Sequence, residues 1–126
     1  MNVAIVTAQE QRWARFDSVL TKNGHQTHYA QALSAVLEKL DEQLDAYQAV
    51  IFDDMDNADT LFAAAAAVMQ RNVRIHQACR WLGKAEDFHG AGEGLGMLPA
   101  IAVDCDEKAA QAFLADIQTV SNLMQR

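Results

Sequence analysis

The sequence predicts a doubly wound α/β fold, a three-layer α/β/α sandwich in which helices cover both faces of a five-stranded parallel sheet. Short apolar runs alternate with longer amphipathic segments along the whole chain, as strands joined by crossover helices do. The 126 residues are 51% hydrophobic and 21% charged, which is enough apolar material for one core without disulfides. Only one proline occurs and no low-complexity tract, so residues 1–126 are expected to form a single domain.

Five short apolar runs are the predicted strands. Residues 3–6 and 49–52 are continuously apolar, as expected of strands that are covered on both faces. Residues 26–30 give the weakest strand pattern. Residues 73–77 alternate between apolar and polar, which indicates a strand nearer an edge. Residues 100–103 complete the set.

Helical spacing marks the segments between these runs. Apolar residues recur every three or four positions over residues 10–23 and 33–44, and again in the C-terminal segment after a cap at Asp104. A further helix is expected after a cap at Asn57 or Asp59. Residues 79–88 are ambiguous, with a short helix as one reading.

Composition narrows the function classes. The net charge of −7 disfavours contact with nucleic acid or with anionic lipid, because like charges repel. No apolar run approaches the roughly 20 residues of a membrane helix. The N-terminus lacks the basic leader of a signal peptide, and two cysteines are too few for a disulfide scaffold. A reducing, cytoplasmic location is therefore expected.

The predicted fold places acidic residues together. Ligands of open parallel sheets gather at the carboxyl ends of the strands, near the point where strand order reverses. With a strand order of 2-1-3-4-5, the loop after the first strand, which contains Glu10, faces Asp53 and Asp54 after the third. These carboxylates would suit Mg²⁺, which prefers hard oxygen ligands. The alternative is a solvated turn that caps the next helix.

The layout resembles that of the response-regulator receiver family, whose domains have the flavodoxin-like or CheY-like fold. The similarity is most evident from Asn23-Gly24-His25 through a helix ending at Leu44 to the run Ala49-Val50-Ile51-Phe52-Asp53. Receivers carry a phosphate-accepting aspartate at the end of the third strand. The resemblance therefore implies that Asp53 is the phosphoacceptor position.

The chain also departs from the receiver pattern. Receivers typically carry two adjacent acids after the first strand, which hold a magnesium ion, whereas this chain has only Glu10 there. Asp104 stands where receivers carry a lysine. Phosphoryl transfer depends on positive charge that balances the developing negative charge, and an acid at this position works against it. Other departures are Ala78-Cys79 in place of a Ser or Thr, and Met55-Asp56 in place of Met-Pro. The sequence therefore favours a pseudo-receiver, a non-catalytic signalling or adaptor domain that binds another protein or a second copy of itself. Beyond a possible Mg²⁺ ion, no cofactor is expected.

Trp81 and Phe88 are the predicted partner-binding residues. They lie in the ambiguous fourth segment together with Leu82. If these side chains are exposed they form an apolar patch, which usually marks an interface. In the receiver family, which this chain resembles, the region around the fourth helix and the fifth strand is a common partner surface.

A second class of function stays open, that of a small-molecule-binding or enzymatic flavodoxin-like domain. Cys79 follows the fourth predicted strand with Arg74 and Arg80 nearby in sequence, and a nearby cation lowers a thiol pKa. A small buried residue is the alternative interpretation of Cys79. The loop from Gly90 to Gly96 is the other candidate, although it precedes a strand, whereas a phosphate-binding loop opens a helix.

Overall fold

A computed structural model of the protein describes residues 1–92 and 95–124. Strands and helices alternate along the chain from the first strand to the fourth helix, and a long helix follows. The elements are β1 (Asn2–Val6), a 3-10 helix (Glu10–Trp13), α1 (Ala14–Lys22), β2 (Gln26–Ala30), α2 (Leu33–Glu42), β3 (Ala49–Met55), α3 (Ala58–Arg71), β4 (His76–Trp81), α4 (Ala85–Gly92) and α5 (Glu107–Met124).

The four strands form one parallel sheet in the order β2-β1-β3-β4. Ile5 in the central part of β1 lies opposite Tyr29 of β2 and Ile51 of β3. This order matches the first four strands of the flavodoxin-like arrangement that CheY shares. The predicted parallel α/β fold of this class is therefore confirmed, and the strand order reverses between β1 and β3.

The prediction of a fifth strand over residues 100–103 is wrong. This segment makes a single parallel bridge, between Arg80 and Ile101. The backbone N–H of Leu98 donates to Gln77 O at 2.9 Å, and that of Ile101 donates to Cys79 O at 2.9 Å. These donors are three residues apart while the acceptors are two apart, so one residue is extra, and the intervening Pro99 has no N–H. A regular ladder cannot form across this irregularity.

Each face of the sheet has its own apolar core. In β1, Val3 and Ile5 point to one face and Ala4 to the other, as the alternation of a strand requires. The first core joins the sheet to α1 and α5, and a tilted pair of Phe16 and Phe113 connects these two helices. The second core joins the sheet to α2 and α3. The expected three layers are thus present.

Several boundaries differ from those expected. Strand β4 begins at His76 rather than Val73, whose side chain is 76% exposed before the strand. The ambiguous stretch 79–88 divides between the end of β4 and the beginning of α4. Part of the expected glycine-rich loop, residues 90–92, belongs to α4. Residues 93–94 of that loop lie outside the described residues.

Side-chain caps fix two helix starts. Asn57 Oδ1 accepts the backbone N–H of Thr60 at 3.1 Å, which confirms Asn57 as the cap of α3 and leaves Asp59 in the first turn. At α5, Asp106 Oδ1 accepts the N–H of Ala109 at 2.9 Å. The cap is therefore Asp106, two residues later than the predicted Asp104.

The helices in the described parts of the chain are too short or too polar to cross a lipid bilayer.

Candidate functional site

The carboxyl ends of three neighbouring strands bring distant residues together at one edge of the sheet. Thr7 follows β1, Asp53 lies near the end of β3, and Arg80 lies near the end of β4. The 3-10 helix after β1 adds Arg12 and Trp13. These side chains meet around the carboxylate of Asp53, whose side chain is only 1% exposed.

Asp53 accepts hydrogen bonds from donors on every side. Its Oδ2 accepts from Thr7 Oγ1 at 2.6 Å, from Arg12 Nη1 at 2.9 Å and from Trp13 Nε1 at 3.0 Å. Its Oδ1 accepts from the backbone N–H of Asp54 at 2.7 Å and from Arg80 Nη1 at 3.3 Å. A carboxylate offers about four lone-pair directions, so these donors saturate it.

Asp54 is the second acid of this cluster. Its backbone has a φ of 55°, in the left-handed region that aspartate tolerates better than most residues. Its Oδ1 accepts from Arg12 Nη1 at 3.0 Å and from Arg80 Nη1 at 2.9 Å. Each guanidinium therefore bridges both aspartates, and two positive charges balance two negative ones.

Arg80 also connects the cluster to the irregular segment that follows α4. Its Nε donates to Val103 O at 2.8 Å, while its Nη1 contacts the two aspartates. The Arg80 side chain is 13% exposed, and its contact with Asp53 is partly buried, whereas those with Val103 and Asp54 lie at the surface. This side chain thus adds a contact to the segment that lacks a regular strand ladder.

The protonation state of Asp53 follows from these contacts. Burial by itself would raise the pKa of Asp53, because it disfavours the charged form. Hydrogen bonds from Thr7, Trp13 and the Asp54 backbone, together with the charge of Arg12, lower the pKa and outweigh burial. The net pKa lies below the ordinary aspartate value, so Asp53 is a carboxylate at neutral pH.

The neighbours of Asp53 are themselves held in place. Thr7 Oγ1 accepts the backbone N–H of Gln9 at 2.9 Å while it donates to Asp53, so its hydroxyl proton is directed at the carboxylate. The Trp13 ring packs edge-on against Phe16 with centroids 5.1 Å apart. Trp13 is fully buried in the first core and also supplies a donor to the cluster.

The predicted magnesium ligands do not assemble. Glu10 is exposed and lines a groove with Asp17 and Tyr29. Within residues 1–92 and 95–124, no three His, Cys, Asp or Glu side chains are grouped so that they could hold a metal ion. Arginine side chains contact Asp53 and Asp54 where a cation was expected, because the strand ends bring Arg80 and the 3-10 helix brings Arg12 to this edge.

Of the two interpretations of Cys79, the structure favours the small buried residue over the reactive thiol. The side chain is fully buried in the second core, and burial raises the pKa of its thiol to about 12. Arg74 is exposed before β4 begins, and the guanidinium of Arg80 contacts the aspartates and Val103. Burial also raises the pKa of Cys105 to about 11. The thiols are therefore protonated at neutral pH.

Trp81 and Phe88 contact each other rather than forming an open patch. Trp81 is 8% exposed, and its Nε1 donates to Lys84 O at 2.8 Å. Its ring centroid lies 5.8 Å from that of Phe88, which is half-buried. The apolar side chain that reaches solvent here is Leu82, which is 45% exposed. An apolar patch that binds a partner must be exposed. Leu82 is exposed and Phe88 is partly so, whereas Trp81 is buried.

Sequence reasoning found Asp53 and missed its partners. Arg12 lies within a helical apolar pattern, where a charged residue is expected to face water. The sequence therefore did not indicate that Arg12 contacts Asp53. Arg80 offered a signal, because it follows a buried run and would reach the same sheet edge as Asp53. Thr7 begins the loop after β1, which was expected at this edge, but no pattern in the sequence assigned a role to its hydroxyl.

The comparisons with known proteins identify a structural neighbour. No family model and no curated protein sequence matches the chain. Among solved structures, a CheY-like protein (tadZ) from Pseudomonas aeruginosa PAO1 is similar with a TM-score of 0.49 and 15% sequence identity. The match covers 80% of this chain and 98% of that one. The fold assignment rests on the strand order and the layers described above.

We expect the substitution Asp53→Asn to lower the free energy of unfolding by about 3 kcal/mol at neutral pH, because it leaves two guanidinium groups short of a buried partner. The pKa of Asp53 is lowered by folding, so its contribution is complete above the unfolded value of about 3.9. It should decline as the pH falls below that value. Urea unfolding of both proteins between neutral and acidic pH measures the difference.

The matched control is Asp56→Asn. Asp56 is a nearby exposed acid that forms no ion pair with any of the described residues. It should change the free energy of unfolding by less than about 0.5 kcal/mol. A stability difference for Asp53→Asn that is small, or independent of pH below 4, would contradict the ion-pair account.

We expect the two thiols to resist alkylation by iodoacetamide in the native protein at neutral pH, because both are buried and their pKa values are raised. In urea both should react at the rate of a free cysteine. Mass spectrometry of peptides containing Cys79 and Cys105 gives each rate separately. Rapid native labelling of Cys79 would instead support the reactive-thiol hypothesis.

Proposed function

We propose that this chain is a non-catalytic signalling or adaptor domain with a receiver-like fold, in which Asp53 is a structural anchor and protein contacts carry the function. The observation that supports this proposal is the saturation of the Asp53 carboxylate. Side-chain and backbone donors occupy both oxygens, and the side chain is 1% exposed.

An acceptor of a phosphoryl group needs an oxygen lone pair in line with the incoming phosphorus and positive charge on the transferred oxygens. To supply that lone pair, Asp53 would have to lose contacts with Thr7, Trp13 or the arginines. Each of these is a buried or partly buried hydrogen bond to a charged group, which is costly to break. The geometry therefore favours an unmodified Asp53.

The cluster also favours a single fixed conformation. Arg80 holds both aspartates and Val103, so the segment before α5 is positioned without any added charge. Arg15 and Glu107 form a two-pronged ion pair, with Arg15 Nη2 2.6 Å from Glu107 Oε2, that joins α1 to α5. A domain organised in this way would present its binding surface constitutively.

The surface that we favour lies at the end of β4 and along α4. A pocket of about 320 Å³ is lined there by Trp81, Phe88 and Pro99, among other residues, and Leu82 is exposed near it in sequence. Aromatic walls around a pocket of this size suit one apolar side chain of a partner protein, the usual anchor of an interface. The expected partner residue is therefore a leucine, methionine or phenylalanine.

Phosphorylation chemistry is tested by two-dimensional NMR of the isotope-labelled domain in millimolar Mg²⁺ with beryllofluoride, a phosphoryl mimic. We expect the amide signals of Asp53 and Ala78 to stay unchanged, because the carboxylate is already saturated. The Asp53→Asn variant serves as the control for nonspecific shifts. Magnesium-dependent shifts centred on Glu10, Asp53 and Ala78 in the wild-type protein alone would show a live acceptor site and overturn this part of the proposal.

The contact surface is tested by a photo-crosslinking amino acid placed at position 82 and expressed in the host cell. We expect defined protein adducts at this position, because Leu82 is 45% exposed and directly follows the pocket-lining Trp81 in the chain. The matched control is position 44, since Leu44 is 59% exposed but lies before β3, at the opposite edge of the sheet. Equal adducts at both positions, or none at position 82, would argue against this surface.

A further inference from the structure

A second pocket opens at the carboxyl ends of β1 and β3, beside the beginnings of α2 and α3. Its volume is about 540 Å³, within the range of small-molecule sites in proteins. It lies where the strand order reverses, the position at which open parallel sheets bind their ligands. Most of its lining is apolar: Val6, Leu33, Phe52, Met55, Ala63 and Ala64.

The shape of the pocket depends on two small residues of α3. Ala63 is exposed and Ala64 is 6% exposed, and both line the pocket. A larger side chain at position 63 would project into this space, since the position faces the pocket and is not covered by the core. The room for a ligand is therefore a property of the alanine-rich sequence of α3.

The polar groups of the pocket all carry acceptor oxygens, and only the Thr60 hydroxyl can also donate. They are Asp53, Asp59 and Thr60. The oxygens of Asp53 are already saturated, but the exposed Asp59 has no ion-pair partner among the described residues. Thr60 Oγ1 lies 3.5 Å from Asn57 Oδ1, a long contact that leaves its own lone pairs open.

The helix terminus at this pocket is poorly suited to an anion. The N–H of Thr60 donates to Asn57 Oδ1 and that of Leu61 donates to Asn57 O, so these groups are occupied. The carboxylate of Asp59 in the first turn further repels negative charge. A positively charged group fits instead, because an ammonium has three donors and no acceptor.

We propose that this pocket binds a small molecule that carries a primary ammonium on an aromatic or aliphatic body. The ammonium donates to the Asp59 carboxylate and to Thr60 Oγ1, and the apolar body lies against Leu33, Phe52 and Met55. This inference goes beyond the proposed function and is independent of it, because none of these residues lines the pocket at Trp81 and Phe88.

The first test is an NMR titration with tryptamine, compared with indole-3-propionate, which has the same ring system but carries a carboxylate. We expect saturable shifts at Val6, Leu33, Thr60 and Ala63 with tryptamine, and a dissociation constant on the order of 1 mM, as is usual for a ligand of this size. The propionate should give no saturable shift. Absence of saturation with tryptamine, or equal binding of the two compounds, would overturn the proposal.

Two pairs of variants locate the site. Asp59→Asn should weaken tryptamine binding about fivefold, since it removes the charge that pairs with the ammonium, whereas Asp56→Asn, outside the lining, should leave it unchanged. Ala63→Leu should abolish binding by filling the pocket, whereas Ala66→Leu, on the same helix, should not. Binding that is unaffected by both Asp59→Asn and Ala63→Leu would place the amine elsewhere and overturn the proposal.

Discussion

The structure depends on one buried negative charge. A carboxylate that is removed from water is tolerated only when charged and hydrogen-bonding partners surround it. Asp53 meets this requirement with donors from the loop after β1, the 3-10 helix, the backbone N–H of Asp54 and the Arg80 side chain of β4. The carboxyl edge of the sheet is consequently one connected polar network between two apolar cores.

This network helps to attach the segment around Ile101 to the sheet, which backbone hydrogen bonds do for the regular strands. Strands β1 and β3 are held by regular ladders over several residues, while the segment around Ile101 has one bridge. The Arg80 bond to Val103 supplies part of the missing attachment, and the apolar contacts of Leu98, Ile101 and Cys105 with the first core supply more. Specific side-chain contacts thus position the approach to α5.

The three layers were predictable from the sequence because buried strands and helices require apolar residues at regular spacings along the chain. The continuous apolar runs of β1 and β3 predicted strands that the structure confirms, and the helical stripes of α1, α2 and α5 were equally clear. The fifth strand failed because Pro99 removes a donor and one extra residue shifts the register, effects that an apolar run does not display.

The candidate site was predictable only in part, for a different reason. The position of Asp53 was predictable because a residue at the end of a buried parallel strand lies at the carboxyl edge of the sheet. Its arginine partners are 41 and 27 residues away in sequence, and long side chains reach across the sheet edge in ways that no local pattern encodes. Similarly, the sequence did not determine whether Trp81 and Phe88 are exposed; in the structure the Trp81 ring is 8% exposed and donates to Lys84 O.

The two arginines that each bridge both aspartates have a consequence for how this chain can vary. Replacing Arg12, Asp53, Asp54 or Arg80 singly leaves an uncompensated charge on the remaining three, so the effects of such changes are not additive. Removing one arginine together with one aspartate keeps the charges balanced and should cost less than the sum of the two single changes. The four positions are therefore energetically coupled, although they are dispersed over two strand ends and a helical turn.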